Sequence, residues 1–302
     1  MPSDRPEYNS TNVVEFRTTQ CKPLKILFDA LKENMPDVSI YFTREGLSIY
    51  SLDSGRTLLI NVSLLEENFD HFYCKEEYND EGEPIPIQIN VSVHNVNKVL
   101  KTTSNEDDML IWTYSPQKRD KGKESLTISI SSSNKAEERI YKVTLQEPDD
   151  DPEAGMITDD VIDDYDYLLT MPCADFQRIC KDLKNMNTER VTLQHKGQEL
   201  IFSSASDIAE ASIIRNGLKG DNASGREETD LIFCKLPEET SCYTDDFKFE
   251  SLYNFGKCAN IGCKTGKIVK IHLRKTKPII LKFKVGKLGE ILFALAPIDE
   301  EE

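Results

Sequence analysis

The chain has 302 residues, enough for two domains of ordinary size, and 38% of them are apolar. Its 37 Lys and Arg stand against 53 Asp and Glu, a net charge of −16, which argues against a surface that coats nucleic acid or an anionic membrane throughout. Eight scattered cysteines without a C-x-x-C pair, and four histidines not at ligand spacing, argue against a zinc site and for free thiols in a reducing compartment.

Residues 1–12 have no periodicity and read as a mobile tail. Strand, helix and strands follow: a strand at 14–18, a helix at 24–34 with Pro23 at its start, and strands at 38–42, 47–52 and 58–62. After a polar, acidic loop at 74–83 a second cycle begins at Ile87, with a helix at 93–102 and strands near 109–114, 126–131 and 139–145. Residues 147–166 carry two prolines and nine acids after Glu147 and read as a linker that does not pack on its own. Its apolar residues Met156, Ile157, Val161 and Ile162 suggest that it lies on a surface.

The pattern then restarts. A strand at 167–171 and a helix at 174–184 precede strands at 191–194, 200–204 and 211–215. A Gly-rich loop at 216–230 leads to a strand at 231–235, and the last cycle has a strand at 247–249, a helix at 251–259 and strands at 268–273, 279–285 and 291–295. Cys21 and Cys173 open their helices 152 residues apart, and Leu31-Lys32 matches Leu183-Lys184 at the same offset. The chain therefore reads as one α+β domain twice, each a doubled helix-plus-strands unit. The expected parts are domain 1 at 13–146, the linker at 147–166 and domain 2 at 167–302.

Cations recur on one face of each helix: Lys22, Lys25 and Lys32; Lys98 and Lys101; Arg178, Lys181 and Lys184; and, more weakly, Lys248 and Lys257. Apolar stripes such as Leu24, Leu27 and Leu31 lie opposite. An acidic chain that keeps one repeated face cationic presents that face to a polyanion. Sheets outside and cationic helices inside make a concave, positive wall.

Several stretches resemble the eukaryotic-type DNA sliding clamps, the proliferating cell nuclear antigen family. They are Glu45 through Ser54, Asn68-Phe69-Asp70 with Tyr73-Cys74, Val96 through Lys101 followed by Asn105 to Asp107, Met171-Pro172, Phe176 through Leu183, Phe202 through Ser206, and Leu295 through Glu302. The order and spacing of the seven together carry the resemblance, which spans nearly the whole chain from Val14.

The resemblance implies a homotrimeric ring around double-stranded DNA, gripped without regard to sequence. The expected DNA-binding residues are Lys22, Lys25, Lys32, Lys98, Lys101, Arg178, Lys181, Lys184 and Lys257. Ser251 stands where a basic residue is common in the family, so the wall is expected to be weaker there. DNA polymerase, a clamp loader and ligase- or nuclease-type clients would dock clamp-binding peptides under the linker, against Leu52, Arg56, Leu59, Met156, Ile157, Pro278, Ala294, Ala296 and Pro297. The acidic linker would favour peptides flanked by Lys or Arg. Subunits would join through Tyr141 and Val143 on one edge strand and Ser212 and Ile214 on another. No catalytic residue, metal, cofactor or membrane partner is expected, and a nuclear or viral replication site rests on the resemblance alone.

Rival readings remain open at this point. One is a subunit of a heterotrimeric damage-checkpoint clamp, another an acidic protein-binding scaffold. A metal-dependent hydrolase using Asp149 to Asp166 is the weakest, because metal catalysis needs carboxylates held in one pocket.

Overall fold

The computed structural model describes residues 12–103, 108–116, 124–132, 137–147, 157, 159–205, 210–220, 229–237, 242–261 and 267–298. Met156, the basic loop with Lys118, Arg119, Lys121 and Lys123, nearly all of the tail and the Asn105–Asp107 motif lie outside the described residues.

Domain 1 runs β1 (Val14–Thr18), α1 (Cys21–Lys32), β2 (Asp37–Thr43), β3 (Gly46–Leu52), β4 (Leu58–Leu65) and β5 (His71–Cys74). It continues with β6 (Glu77–Tyr78), β7 (Pro84–Ile85), β8 (Ile87–Ser92), α2 (Val93–Leu100), β9 (Asp108–Tyr114), β10 (Ser125–Ser132) and β11 (Glu137–Thr144). A short helix, α3 (Asp159–Asp163), lies in the linker. Domain 2 runs β12 (Tyr167–Pro172), α4 (Cys173–Lys184), β13 (Arg190–Lys196), β14 (Glu199–Ala205), β15 (Glu210–Lys219), β16 (Leu231–Lys235) and β17 (Tyr243–Lys248). It closes with α5 (Phe249–Gly256), β18 (Ile268–Leu273), β19 (Ile279–Val285) and β20 (Gly289–Leu295).

The helices form where an apolar stripe recurs every three or four residues. Leu24, Leu27, Phe28 and Leu31 of α1 are buried, as are Phe176, Ile179, Cys180 and Leu183 of α4. Both helices are 12 residues long, and α2 and α5 both have eight. The repeat read from the two opening cysteines is thus a repeat of whole elements.

One sheet takes the order β11–β10–β9–β1–β5. The other has 13 strands in the order β17–β13–β14–β15–β16–β12–β18–β19–β20–β4–β3–β2–β8. It crosses from one domain to the other at β20 and β4, which pair antiparallel from Gly289↔Leu64 to Leu295↔Leu58. Gly289 is needed there, since a Cβ on it would fall 2.0 Å from the Ser63 carbonyl oxygen. One apolar core runs through both domains beneath the helices.

Three expectations change. The loop 74–88 contains an ordered hairpin, β6 with β7, whose turn is closed by Asn79 accepting from the Glu81 and Glu83 amides. The Gly-rich stretch from 216 begins as strand: β15 continues to Lys219 and pairs parallel with β16 from Gly217 onward. The fourth helix starts at Phe249, not Ser251, and ends at Gly256, followed by a 3-10 turn at Lys257–Asn260.

Candidate nucleic-acid interface and linker groove

The helices form one row. α1 packs on α2, α4 packs on α5, and the Lys257–Asn260 turn touches α1, α4 and α5. Their buried stripes face the sheets, so the opposite faces form a common surface. Lys22, Lys98, Lys101, Arg178, Lys181 and Lys184 are exposed on it, whereas Lys25, Lys32 and Lys257 are half-buried. All nine expected cations lie on these helices or on their flanking turns.

Acidic residues tie several of them down. Asp29 accepts from Asn97 at 3.0 Å and sits 3.2 Å from the Lys101 ammonium, joining α1 to α2. Arg178 lies 3.7 Å from Asp175 and 3.5 Å from Asp182 on its own helix. Glu33, capping the end of α1, meets Lys257 at 3.1 Å across the domain junction and Lys32 at 3.6 Å. Lys257, with Lys32, holds the Glu33 carboxyl below the usual carboxylate range. Lys184 lies over the Tyr253 ring, 3.9 Å from its centroid. Such a surface offers weak, exchangeable contacts to phosphates without any means of reading bases.

On the other face of the sheet, at the domain junction, pairing sets Leu52, Leu59, Ala294, Ile280 and His272 side by side across β3, β4, β20, β19 and β18. Leu59, Ile280 and Ala294 form a small buried cluster with Leu292, Ile162 and Tyr165, and Ile157 packs against it. The linker thus lies on the domain surface through Ile157 and Ile162, as their apolar character suggested, with Tyr165 added. Tyr165 donates to the Pro278 carbonyl at 2.8 Å, Lys235 donates to the Asp163 carbonyl at 2.8 Å, and Arg274 binds the backbone and carboxylate of Asp164. Tyr165, three residues after Ile162 on the same face, was the contact not singled out in the sequence. Val161 does face solvent.

The other end of this row is open. Leu52 is 38% exposed, and Pro278, Ala296 and Pro297 are half-buried. Arg56 is exposed in the β3–β4 turn, where Asp53 accepts from the Thr57 and Leu58 amides and Arg56 itself has φ 55°. Leu59, Ile157 and Ala294 are thus at the covered end of one row and Leu52 at its open end, with Ala296 donating to the Thr57 carbonyl and Pro278 accepting from Tyr165 nearby.

His272 lies at the covered end, edge-on to Tyr165 at 6.2 Å between ring centroids. Burial, with Lys282 and Lys270 nearby, pushes its pKa down to about 4. Burial also pushes the Cys21 and Cys180 thiols up, to about 11 and about 12, so these are inert core residues at neutral pH.

Comparison with known proteins supports the same architecture. The family model described as "Proliferating cell nuclear antigen, N-terminal domain" matches residues 13–154, and its C-terminal counterpart matches residues 160–298. The chain belongs to the proliferating cell nuclear antigen family. A relative named "Probable DNA polymerase sliding clamp 1", from Paramecium bursaria Chlorella virus 1, is 29% identical over 283 residues, 93% of this chain and 95% of that protein. "Proliferating cell nuclear antigen" of Dictyostelium discoideum is 24% identical over 283 residues, 94% of this chain and 98% of that protein. Membership makes the chain a DNA clamp in fold and in general function.

Among the described residues several strands have an open edge, β11 and part of β15 among them. β11 pairs with β10 alone among the described residues, and Glu210–Asn216 of β15 pairs on one side with β14. Their alternation refines the expected interface. Tyr141 is half-buried and Val143 is buried against the core of their own domain, while Ser212 and Ile214 face out. The matching outward residue of β11 is Ile140, 61% exposed against 53% for Ile214. Val143 is buried in its own domain, so on β11 it offers its backbone at the open edge. Ile140 was not singled out in the sequence; it is an apolar residue out of phase with the buried Val143.

Proposed function

We propose that the chain is a homotrimeric sliding clamp, a processivity factor that encircles duplex DNA and tethers DNA polymerase and other replication and repair proteins. The observation that carries this reading is the contiguous row of cationic helices on one face of a sheet that spans both domains. A ring formed by pairing the open edge of β11 with that of β15 in the next copy would turn this row toward its centre. The duplex would then be held by topology, and the lysines would need only weak phosphate contacts.

Lys22, Lys25, Lys32, Lys98, Lys101, Arg178, Lys181, Lys184 and Lys257 would face the duplex. Ile140 and Ile214 would meet across each seam, with Tyr141 and Ser212 beside them. Client peptides, including those of the clamp loader, ligases and nucleases, would enter the groove at Leu52, Pro278, Ala296 and Pro297, beside the linker. The exposed acids of α3 would favour clients with flanking Lys or Arg. The site of action would be the nucleus, or a viral replication site for a viral source. The clamp itself would break no bond, so its contribution is residence time on DNA.

Light scattering over a dilution series tests the ring. The expected mass is about three times that of the 34.4 kDa chain, and Ile140→Glu should shift it toward one chain. A single-chain mass at high concentration would overturn the homotrimer and favour a ring of different subunits.

A further inference from the structure

α5 has the sequence FESLYNFG, with no Lys or Arg of its own. Its part of the wall should therefore be the weak sector, as the Ser251 position implied. What α5 does offer is Tyr253, half-buried and close to two cations from neighbouring elements. The Lys184 ammonium, from the end of α4, lies 3.9 Å from the centroid of its ring. The Lys257 ammonium, from the turn after α5, lies 5.7 Å from the same centroid. Phe249 packs against Tyr253 at 6.1 Å and is itself buried, which fixes the ring.

We propose that Tyr253 is a positioning residue for the DNA contact, holding Lys184 and Lys257 as a cation pair that substitutes for the basic residues α5 lacks. The proposal rests on the reading of the helix row as the DNA-facing wall. An aromatic face attracts an ammonium without neutralising it, so the ring leaves Lys184 its full charge for a phosphate, while Lys257 also shares its charge with Glu33 at 3.1 Å. A carboxylate in place of the ring would offset the Lys184 charge as well. A free lysine also loses rotamer freedom when it meets a phosphate, and a lysine already resting on a ring has given up part of that freedom. The ring borders a cleft of about 540 Å³ lined by Lys184, Lys248, Phe249 and Glu250, among others. The cleft adjoins Lys184 and the ring, and Glu189 lines it together with Glu250.

The test is binding of a short fluorescent duplex to the full-length protein, by anisotropy across a salt series. Tyr253→Phe should bind as the wild type does, because the aromatic face is kept. Tyr253→Leu should weaken binding by about two- to five-fold, the scale of one or two exposed cation–π contacts. That loss should vanish when both lysines are already Gln, since the ring then has nothing to position. Lys184→Met should show a similar loss and covers the case in which Tyr253→Leu does not fold. A Lys98→Gln/Lys101→Gln variant separates the two levels of the argument. If it weakens binding while Tyr253→Leu and Lys184→Met do not, the positioning role is overturned and the wall stands. If none of them matters, both readings fall. Equal losses for Phe and Leu at 253, or a Leu effect that persists without the lysines, would also overturn the positioning role.

Discussion

Glu33 lies where the two domains and two wall lysines meet, so Glu33→Gln should have opposite effects on stability and on DNA binding. Its carboxylate contacts Lys257 at 3.1 Å and Lys32 at 3.6 Å. The partners are between a third and two fifths exposed, so each pair contributes roughly 0.2–1 kcal/mol after solvent screening. Removing a negative charge from the C-terminal end of α1 returns about 0.3 kcal/mol or more through the helix dipole. The net loss of stability should therefore be about 1 kcal/mol or less, felt at the domain junction. On the DNA side, both lysines become available. If each takes up one phosphate, the slope of log affinity against log salt should steepen by up to roughly 1.8, from about 0.9 per contact. Affinity at low salt should rise and the gain should fade as salt increases.

Two measurements on the same variant decide the matter: thermal unfolding, and a salt series of duplex binding. A small drop in Tm with a steeper salt slope is the expected result. A slope equal to or shallower than that of the wild type, with the drop in stability present, would refute the reasoning. It would mean that Lys32 and Lys257 do not face the duplex and that Glu33 serves the junction alone. Because the lysines depress the Glu33 pKa, the pair's contribution is complete above the ordinary carboxylate range. It is lost as pH falls through the lowered value, so neutral pH is the right condition for both assays.

The buried His272 should make the protein acid-sensitive. Its pKa is lowered from 6.5 to about 4, so stability is complete above pH 6.5 and falls as pH drops toward 4, by roughly 3 kcal/mol at the limit. Denaturant titrations of His272→Gln should show a flatter pH profile than the wild type over that window. Tyr165→Phe removes the 2.8 Å bond to Pro278 and should cost about 1 kcal/mol, seen as faster amide exchange across 159–166 with the rest of the chain unchanged. Gly289→Ala would place a methyl 2.0 Å from the Ser63 carbonyl and should cost on the order of 3 kcal/mol. Trp112, the chain's one tryptophan and part of domain 1, offers a fluorescence readout of whether that domain unfolds apart from domain 2.

Local patterns were legible and long-range pairings were not, for a physical reason in each case. The α1 and α4 stripes are written every three or four residues because a helix buries one side, so helix position and the cationic face opposite follow from the chain alone. The β4–β20 ladder joins residues more than two hundred positions apart, and nothing in either strand names its partner. The hairpin in 74–88 was read as loop because two-residue strands are too short to show alternation, although Asn79 and Gly82 marked a turn. On β11, Tyr141 and Val143 followed from the family resemblance, whereas which face of the strand is buried is set by packing that the short stretch does not spell out.

The linker shows how composition can conceal a contact. Nine acids after Glu147 did not hide Ile157 and Ile162, which pointed to a surface, but they drew attention from Tyr165, because average charge says nothing about one face. Ile162 and Tyr165 are 4% and 5% exposed, so the acids around them are carried on the surface of a docked segment. This changes what the linker can do. An unpacked acidic tether would only attract cationic clients, whereas a docked one would, on the proposed reading, also form a wall of the client site. Lys235 and Arg274 hold that wall at the His272 end, while the Leu52 end stays open. Charge on the linker should accordingly affect how fast a client arrives, and the apolar row from Leu52 to Ile280 how long it stays.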